Sequence, residues 1–192
     1  VLIIGTTGDP ATPYAGALDL QTRIAGSRVL TYESAEHAAY GRGVACIDDA
    51  FYAVISGWKE KNPDGLAIAF PHWGKNYMWR SRDQKQIADR MVGAGVDLII
   101  GHGAHMMQEI GRRRGRWVVY SLGNGYFGSE GEYARRSMPP YSFLARLNVN
   151  DRGGAPAFFL RLRPALASRM RTAPQSRPRG RPSPTSSASA RP

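Results

Sequence analysis

The sequence predicts an α/β protein. Three observations predict it: short apolar runs of strand length alternate with segments that have apolar residues at helical spacing, Gly- and Pro-containing turns separate the two, and polar residues with reactive side chains directly follow several of the apolar runs. Such alternation is typical of a largely parallel sheet covered by helices. With 192 residues, 42% of them apolar, the chain is long enough to bury a core.

The first third of the chain predicts a strand, a helix, a strand, a loop and a second helix. Their bounds are 1–4, 14–24, 28–32, 33–43 and 46–58. In the second helix, Asp48 and Asp49 are interpreted as surface or helix-start charges that complement the helix dipole. An apolar opening followed at once by a turn is typical of an interior strand, so we expect further sequence upstream of Val1.

A polar segment at 59–65, broken by Pro63 and Gly65, predicts a linker. After the linker, strand-like and helix-like segments alternate again: a strand at 66–70, a helix at 83–93, and strands at 96–100 and 117–120. Two further strands are predicted at 141–149 and 157–162, and they suit a hairpin. The predicted organisation is therefore a first segment at 1–58, the linker, a second segment at 66–164 and a tail at 165–192.

The charge of the chain is concentrated in that tail. The net charge is +11, and residues 165–192 hold six arginines and no acidic residue, whereas the remaining 164 residues have 20 basic and 15 acidic side chains. The tail is rich in Pro, Ser, Ala and Arg, which predicts disorder. Arginines without aromatic residues to stack on bases do not indicate a specific nucleic-acid partner.

Composition excludes two further classes. No run of about 18 apolar residues is present that would predict a membrane span, and the first residues lack the basic start of a signal peptide. Cys46 is the only cysteine, which excludes an intrachain disulfide and a thiolate-rich metal site.

Asp9 follows the first predicted strand, and His37 lies in the loop after the second. A carboxylate that orients a histidine, which in turn takes a proton from a serine, is the Asp–His part of a serine-hydrolase triad. In α/β hydrolases these two residues come last in the chain order. Spacing alone also allows a second interpretation, in which Asp9 caps a helix next to Pro10 and His37 is unrelated to it.

Several motifs surround this pair: Gly5-Thr-Thr-Gly-Asp-Pro-Ala-Thr-Pro-Tyr14, Ala25-Gly-Ser-Arg-Val-Leu-Thr-Tyr32, Tyr40-Gly-Arg-Gly43 and Cys46-Ile-Asp48. In order and spacing they resemble the C-terminal segment of the tripeptidyl-aminopeptidase-like α/β hydrolases of actinobacteria. The resemblance implies that Asp9 is the triad acid and His37 the triad base. The nucleophile motif Gly-x-Ser-x-Gly occurs nowhere in the sequence, so no acyl-enzyme is expected.

Three of the four histidines follow predicted strands: His72 comes after 66–70, and His102 and His105 come after 96–100. Loops after adjacent parallel strands meet at one edge of the sheet, and neutral imidazoles are ligands for Zn, Mn or Fe. A metal-bound hydroxide at such a site attacks phosphate esters or amide carbonyls. The alternative interpretation is that His102 and His105 are hydrogen-bonded loop residues.

Further motifs extend this pattern: Phe70-Pro-His-Trp-Gly-Lys-Asn-Tyr77, Gln84-x-x-x-Ala88, Ala94-Gly-Val-Asp-Leu-Ile-Ile-Gly-His-Gly-Ala-His105, Gln108-Glu109 and Gly115-Arg-Trp-Val-Val-Tyr-Ser-Leu-Gly-Asn124. Over residues 65–150 they resemble the C-terminal half of the CapA family, the capsule or poly-gamma-glutamate synthesis proteins of the calcineurin-like metallophosphatase superfamily. The resemblance implies a partial metallophosphatase-like sandwich behind the partial α/β-hydrolase segment.

For the site, the resemblance implies that His72, His102 and His105 bind a divalent metal, Zn, Mn or Fe, while Ser121 and Asn124 shape the adjacent loop. It also implies an anionic polymer such as poly-gamma-glutamate as partner, and an association with the cell envelope. The carboxylate motifs of the superfamily are not found upstream, and a lost ligand typically costs about 10–100-fold in metal affinity. We therefore expect binding of a single metal and little turnover.

Three hypotheses follow: a CapA-like capsule or poly-gamma-glutamate protein with a partial metal-dependent hydrolase site, a serine-hydrolase fragment without its nucleophile, and a non-catalytic fusion remnant whose halves do not share a core.

Several other residues have both a functional and a purely structural interpretation. Trp73, Tyr77 and Trp79 either stack on a substrate or pack, with packing favoured. The arginines at 112–116 either grip a polyanion or form a solvated turn, with the turn favoured. Asp97 is expected either to cap or to brace the sheet.

Overall fold

The computed structural model describes residues 1–125, 131–150 and 157–166 of the chain. In chain order the elements are β1 (Leu2–Thr6), α1 (Tyr14–Arg23), β2 (Arg28–Tyr32), α2 (Ala45–Lys61), β3 (Ile68–Ala69), α3 (Arg82–Gly93), β4 (Leu98–Ile100), β5 (Ile110–Arg113), β6 (Arg116–Val119), α4 (Glu132–Arg135), β7 (Tyr141–Asn150) and β8 (Ala157–Leu166). The tail predicted to be disordered lies, beyond Leu166, outside the described residues.

The strands form three sheets in the described part of the chain. β1 and β2 pair in parallel, β7 and β8 pair antiparallel, and four strands form a sheet in the order β3-β4-β6-β5. Within that sheet β3, β4 and β6 are parallel, and β5 is an antiparallel edge strand. The prediction of an α/β protein is confirmed. None of the helices described is both long and apolar enough to cross a membrane.

The main core lies against the four-stranded sheet. Leu98 and Ile99 of β4 are fully buried, because β4 pairs with a strand on each side and an inner strand covered on both faces is apolar throughout. The core side chains come from β3, α3, β4, β6 and the loops between them: Ala69, Trp73, Ile87, Ala88, Met91, Val96, Ile99, Val118 and Tyr120.

The two predicted segments are in contact. Phe51, Tyr52 and Ile55 of α2 pack against the main core, although α2 begins within the first predicted segment. Lys59, in the last turn of α2, donates from Nζ to Asp97 Oδ2 at 2.8 Å. Asp97 Oδ2 also accepts from the backbone N–H of Ala67 at 2.9 Å, so Asp97 braces the sheet as expected and ties it to α2. The segment boundary at 59–65 stays a prediction.

The arginine run at 112–116 contains the expected exposed turn before a strand, but that turn is limited to Arg114 and Gly115. The arginines on either side of it belong to two paired strands, β5 and β6. Both turn residues have positive φ, 47° and 81°, which is typical of a type I′ hairpin turn. The sequence analysis did not predict β5, because its residues, Ile-Gly-Arg-Arg, have a low strand propensity.

Two details of the first segment depend on its packing. The apolar residues of α1 are not buried: Leu18 and Leu20 are each 43% exposed, because the small β1–β2 sheet offers little surface to cover them. Of the two interpretations of Asp48, helix start and surface, the first is confirmed and the second is wrong. Asp48 is buried in the first turn of α2, where its Oδ1 accepts from the backbone N–H of Gly41 at 2.9 Å.

Candidate functional site

The segments after β3 and β4 run side by side and bring their histidines together. Pro71 has no N–H for a sheet ladder, so β3 ends early. Pairing then resumes as a single parallel bridge between His72 and His102. The backbone N–H of His102 donates to the Pro71 carbonyl at 3.0 Å, and that of Trp73 donates to the His102 carbonyl at 2.8 Å. The strand ends therefore fix both histidine backbones.

Two glycines allow this close approach. A Cβ on Gly101 would lie 2.2 Å from Nε1 of Trp73 and 2.3 Å from the carbonyl oxygen of Tyr120. Gly103 has a φ of 103°, and a Cβ there would meet the His72 ring at 3.0 Å. The Gly-His-Gly motif thus has a steric reason: side chains at either glycine would push the histidine loops apart.

Four side chains form a continuous hydrogen-bonded row, which we call the histidine row: Asp9, His37, His72 and His102. The Nδ1 of His37 lies 2.9 and 3.0 Å from the two carboxylate oxygens of Asp9. The Nε2 of His37 lies 3.0 Å from Nε2 of His72, and Nδ1 of His72 lies 3.2 Å from Nδ1 of His102. The row links the loops after β1, β2, β3 and β4.

The Asp9 end of the row is held by its own loop. Asp9 accepts from the backbone N–H groups of Ala11 and Thr12, at 2.8 and 2.9 Å, and from the Thr12 hydroxyl at 2.7 Å. Burial raises the pKa of Asp9, but these hydrogen bonds, together with that of His37, outweigh burial and hold the pKa well below its ordinary value. Asp9 is therefore an ionised acceptor at neutral pH.

The other end of the row is uncharged. Burial, helped by the neighbouring His102, His37 and His105 and by the positive charge of Arg42, lowers the pKa of His72 to about 4. Burial also lowers the pKa of His102, against the effect of a hydrogen bond to the Phe70 backbone. Both imidazoles are neutral at pH 7, with a guanidinium near them.

His105 belongs to the same loop but has different neighbours. Its Nδ1 lies 2.7 Å from Oδ1 of Asn124, and its ring stacks on Tyr77 with centroids 5.7 Å apart. The Tyr133 hydroxyl donates to the His105 carbonyl at 2.9 Å and accepts from Nδ2 of Asn124 at 3.1 Å. Ser121 is buried beside them, and its Oγ accepts from the Gly123 N–H at 3.2 Å.

The histidines fit a metal only in part. The Nδ1 atoms of His72 and His102, 3.2 Å apart, can both reach one cation at metal–nitrogen distances of about 2.0–2.1 Å. His72 meets His37 through its other nitrogen, so one cation cannot take nitrogens from all three histidines of the row. Among residues 1–125, 131–150 and 157–166, no three His, Cys, Asp or Glu side chains are arranged to hold a metal ion.

The structure thus brings Asp9, His37, His72 and His102 together, and it pairs His105 with Asn124. Their roles as triad members, metal ligands and loop-shaping residues stay predictions. Trp73 is buried and donates from Nε1 to the Tyr120 carbonyl at 2.7 Å, which is a packing role. Sequence reasoning missed Tyr133, because an isolated tyrosine in no motif gives no signal of its place beside a loop 28 residues away.

Comparison with protein families gives one match. Residues 22–129 match the family model of the bacterial capsule synthesis protein PGA_cap, more than half of the chain. The match begins before the CapA-like motifs found by inspection, and it includes β2 and α2.

Individual relatives fall into two groups. A probable polyglutamine synthesis accessory protein of Mycobacterium tuberculosis is 30% identical over 125 residues, which are 65% of this chain and 32% of that protein. The poly-gamma-glutamate (PGA) biosynthesis protein CapA of Bacillus subtilis is 34% identical over 86 residues, 44% of this chain and 22% of CapA. The serine protease Hip1 of M. tuberculosis is 38% identical over 56 residues, 29% of this chain and 11% of the protease.

The chain spans about a third or less of the length of these curated relatives. No solved structure matches it significantly.

Proposed function

The chain belongs to the PGA_cap family of bacterial capsule synthesis proteins, and we propose that it serves capsule or poly-gamma-glutamate production by binding this anionic polymer. The proposed binding site is the edge of the sheet that carries His72 and His102. The name of one relative, a PGA biosynthesis protein, supports the choice of polymer.

The observation that carries the proposal is the chemistry of this edge. His72 and His102 are neutral there, and Arg42 lies close enough for its charge to lower the pKa of His72. A guanidinium is a donor for carboxylates, and guanidinium–carboxylate hydrogen bonds are among the stronger ones. Arg42 has no ion-pair partner among the residues that the structure describes. The net charge of +11 adds long-range attraction for a polyanion.

Binding of the polymer is tested by fluorescence anisotropy with labelled poly-gamma-glutamate. Arg42→Glu should weaken binding about 30-fold at low salt, because it changes the charge by two units and each unit charge near a carboxylate contributes about 1 kcal/mol in water. Arg28→Glu is the matched control: it makes the same charge change at the start of β2, whereas Arg42 follows its end. Equal weakening by both variants would mean that only net charge matters.

The chemistry of the polymer backbone supplies a second control. Poly-alpha-glutamate also carries one carboxylate on every residue, but its residues are joined through the other carboxyl group. If the sheet edge that carries His72 and His102 recognises the polymer backbone, the gamma-linked polymer should bind more tightly than the alpha-linked one. Equal affinity for the two polymers would contradict a dedicated site.

A weakly held divalent cation, Zn, Mn or Fe, is the second part of the proposal. His72 and His102 would hold it through Nδ1, and such a cation polarises carbonyl or phosphoryl oxygens. No catalytic step is derived through it, because a third protein ligand is not in place among the described residues. Little turnover is expected.

Metal content after dialysis against zinc tests this part. His72→Ala and His102→Ala should each reduce affinity about 10-fold or more, the usual effect of losing a ligand or its support. His105→Ala should change it by less than about threefold, because Asn124 engages Nδ1 of His105. Equal losses in all three variants would instead support three-histidine ligation. If zinc content is unchanged in His72→Ala and His102→Ala, these two histidines do not bind a cation.

The similarity to a serine protease supports an alternative, a serine-hydrolase fragment. In a working triad, Nε2 of His37 would meet a serine hydroxyl, whereas here it meets His72. We therefore expect no labelling by a fluorophosphonate probe. Labelling that disappears in His37→Ala would favour the alternative.

A further inference from the structure

A cleft of about 500 Å³ lies outside the histidine row, between the loop that follows β2 and the helix α3. Its volume is in the range of small-ligand sites, about 300–1,000 Å³. Arg42 lies near His72 as well, so the cleft adjoins the sheet edge that carries the two histidines. The residues that line it bring two guanidiniums and one carboxylate to one space: Gly41, Arg42, Gly43, Asp83, Gln86, Ile87 and Arg90.

We propose that this cleft binds an α-amino acid group, an ammonium and a carboxylate on one carbon, and that it takes the amino-terminal end of the gamma-linked polymer. The end residue of such a chain is joined through its γ-carboxyl group, so it keeps both its α-ammonium and its α-carboxylate. Asp83 accepts from the ammonium, and Arg42 and Arg90 donate to the carboxylate. This inference rests on the proposed function and adds recognition of the chain end to it.

The face of α3 that lines the cleft carries opposite charges at its two ends. Asp83, Ile87 and Arg90 are spaced by four and three residues, which places them on one face of the helix. At a rise of 1.5 Å per residue, Asp83 and Arg90 are about 10 Å apart along the axis, and the buried Ile87 lies between them. An amino acid group with a hydrogen bond of about 2.9 Å at either end bridges most of this distance, and the long side chain of Arg90 covers the rest.

The carboxylate of Asp83 is not needed to cap its helix. Ser81 Oγ accepts from the backbone N–H of Gln84 at 3.1 Å, and Gln84 Oε1 accepts from the backbone N–H of Ser81 at 3.0 Å, so these two residues already cap the start of α3. Asp83 is exposed and forms no ion pair within the part of the chain that the structure describes. Its oxygens are therefore available to a ligand ammonium.

One buried carboxylate, that of Asp48, holds both cationic sides of the cleft. Its Oδ1 accepts from the backbone N–H of Gly41, the residue before Arg42, at 2.9 Å, and its Oδ2 lies 3.9 Å from Nη2 of Arg90. The Arg90 guanidinium also lies over the Tyr52 ring, 5.3 Å from its centroid. A separation of 3.9 Å is too long for a hydrogen bond, and 56% of the Arg90 side chain is exposed. Arg90 is thus held in place with its donors available to a carboxylate.

The test is fluorescence anisotropy at low salt with short gamma-linked glutamate oligomers that are labelled at the carboxyl end. One oligomer keeps its free amino end, and the other is acetylated there. The free-amine oligomer should bind the full chain about fivefold more tightly, the effect of one exposed ionic contact. Because the net charge of the chain is +11, general attraction favours the acetylated oligomer, which is more negative. Equal affinity, or tighter binding of the acetylated oligomer, would overturn the proposal.

Two substitutions assign the contacts, and the acetylation comparison decides without either of them. Asp83→Asn should remove the preference for the free amine, whereas Asp64→Asn, the same change at an exposed aspartate outside the cleft, should keep it. Arg90→Gln should weaken binding of both oligomers about fivefold. Arg82→Gln, at an exposed arginine of the same helix outside the cleft, should have little effect. A preference that survives Asp83→Asn, or equal effects of the two arginine variants, would contradict the assigned contacts.

Free glutamate carries the same amino acid group, and competition separates it from the chain end. An unlabelled free-amine oligomer should displace the labelled one at a lower concentration than free glutamate does, because its following residues meet the neighbouring sheet edge. Equal potency of the two competitors would overturn the choice of the chain end. If no gamma-linked glutamate binds, the proposed function fails and this inference fails with it. If the oligomers bind equally well with free and acetylated ends, only this inference fails.

Discussion

Replacing Asp97 tests how strongly α2 is joined to the four-stranded sheet. The side chain of Asp97 is 9% exposed and accepts from Lys59 Nζ at 2.8 Å and from the Ala67 N–H at 2.9 Å. A third partner, Arg116, lies 3.2 Å away but is 54% exposed, so its ion pair contributes at most about 1 kcal/mol. The carboxylate thus joins the end of α2 to the residue before β3, and Asp97 itself directly precedes β4.

The expected loss follows from these contacts. Asp97→Ala removes the carboxylate from Lys59, which keeps the carbonyls of Gly65 and Pro63 as acceptors, and leaves the Ala67 N–H without an acceptor. Breaking such a buried arrangement typically costs about 3–5 kcal/mol. Because Lys59 is 20% exposed, we expect about 3 kcal/mol, the lower end of this range. Asp97→Asn keeps an oxygen for Ala67 and loses only the charge, so about 1–2 kcal/mol is expected.

Urea unfolding followed by circular dichroism measures these losses, and Lys59→Met completes a double-mutant cycle with Asp97→Asn. A coupling energy of about 1 kcal/mol and a single transition are expected, as for residues in direct contact. A loss below about 1 kcal/mol for Asp97→Ala, or two transitions in the wild-type protein, would refute the view that α2 and the sheet form one unit.

Three smaller predictions use other contacts. Arg113 holds the pKa of Asp89 below its ordinary value. The ion pair therefore stabilises the fold above about pH 4, and this stabilisation is lost as the pH falls through the lowered pKa. In urea unfolding, Asp89→Asn should cost about 1 kcal/mol at pH 7 and much less at pH 2. Gly101→Ala should lower stability by about 3 kcal/mol or prevent folding, because its Cβ would meet Trp73 and a backbone oxygen, and a thermal melt unchanged from wild type would contradict this. Gly16→Ala, in α1 with nothing within 4 Å of its Cβ, should instead raise stability by about 0.5–1 kcal/mol in the same melts.

Sequence patterns were sufficient where a local rule decides the structure. The apolar run ending in Ile100 and the Gly-His-Gly motif behind it predicted a buried strand followed by a histidine loop. The bridge between His72 and His102 agrees with the convergence expected at the ends of parallel strands. The spacing of Asp9 and His37 left two interpretations open, and the 2.9 Å contact between their side chains agrees with the one that pairs them.

Features that depend on packing between distant parts of the chain were not predictable. The contact of His37 with His72 requires the loop after β2 to meet the loop after β3, and neither motif contains information about the other. Burial of Asp48 depends on the backbone N–H of Gly41, which a helix-start pattern does not reveal. The β5–β6 hairpin depends on positive φ at Arg114, a conformation that sequence seldom signals for arginine.

The central claim is that the edge carrying His72 and His102 is the polymer-binding site, and mapping the polymer on the protein tests it most directly. Backbone amide spectra recorded while poly-gamma-glutamate is titrated into the labelled chain identify the residues it touches. We predict that the largest shifts fall on His72, His102 and Arg42, and that they saturate together. Shifts confined to the arginines of the β5–β6 hairpin, with the histidine loops unchanged, would contradict the account.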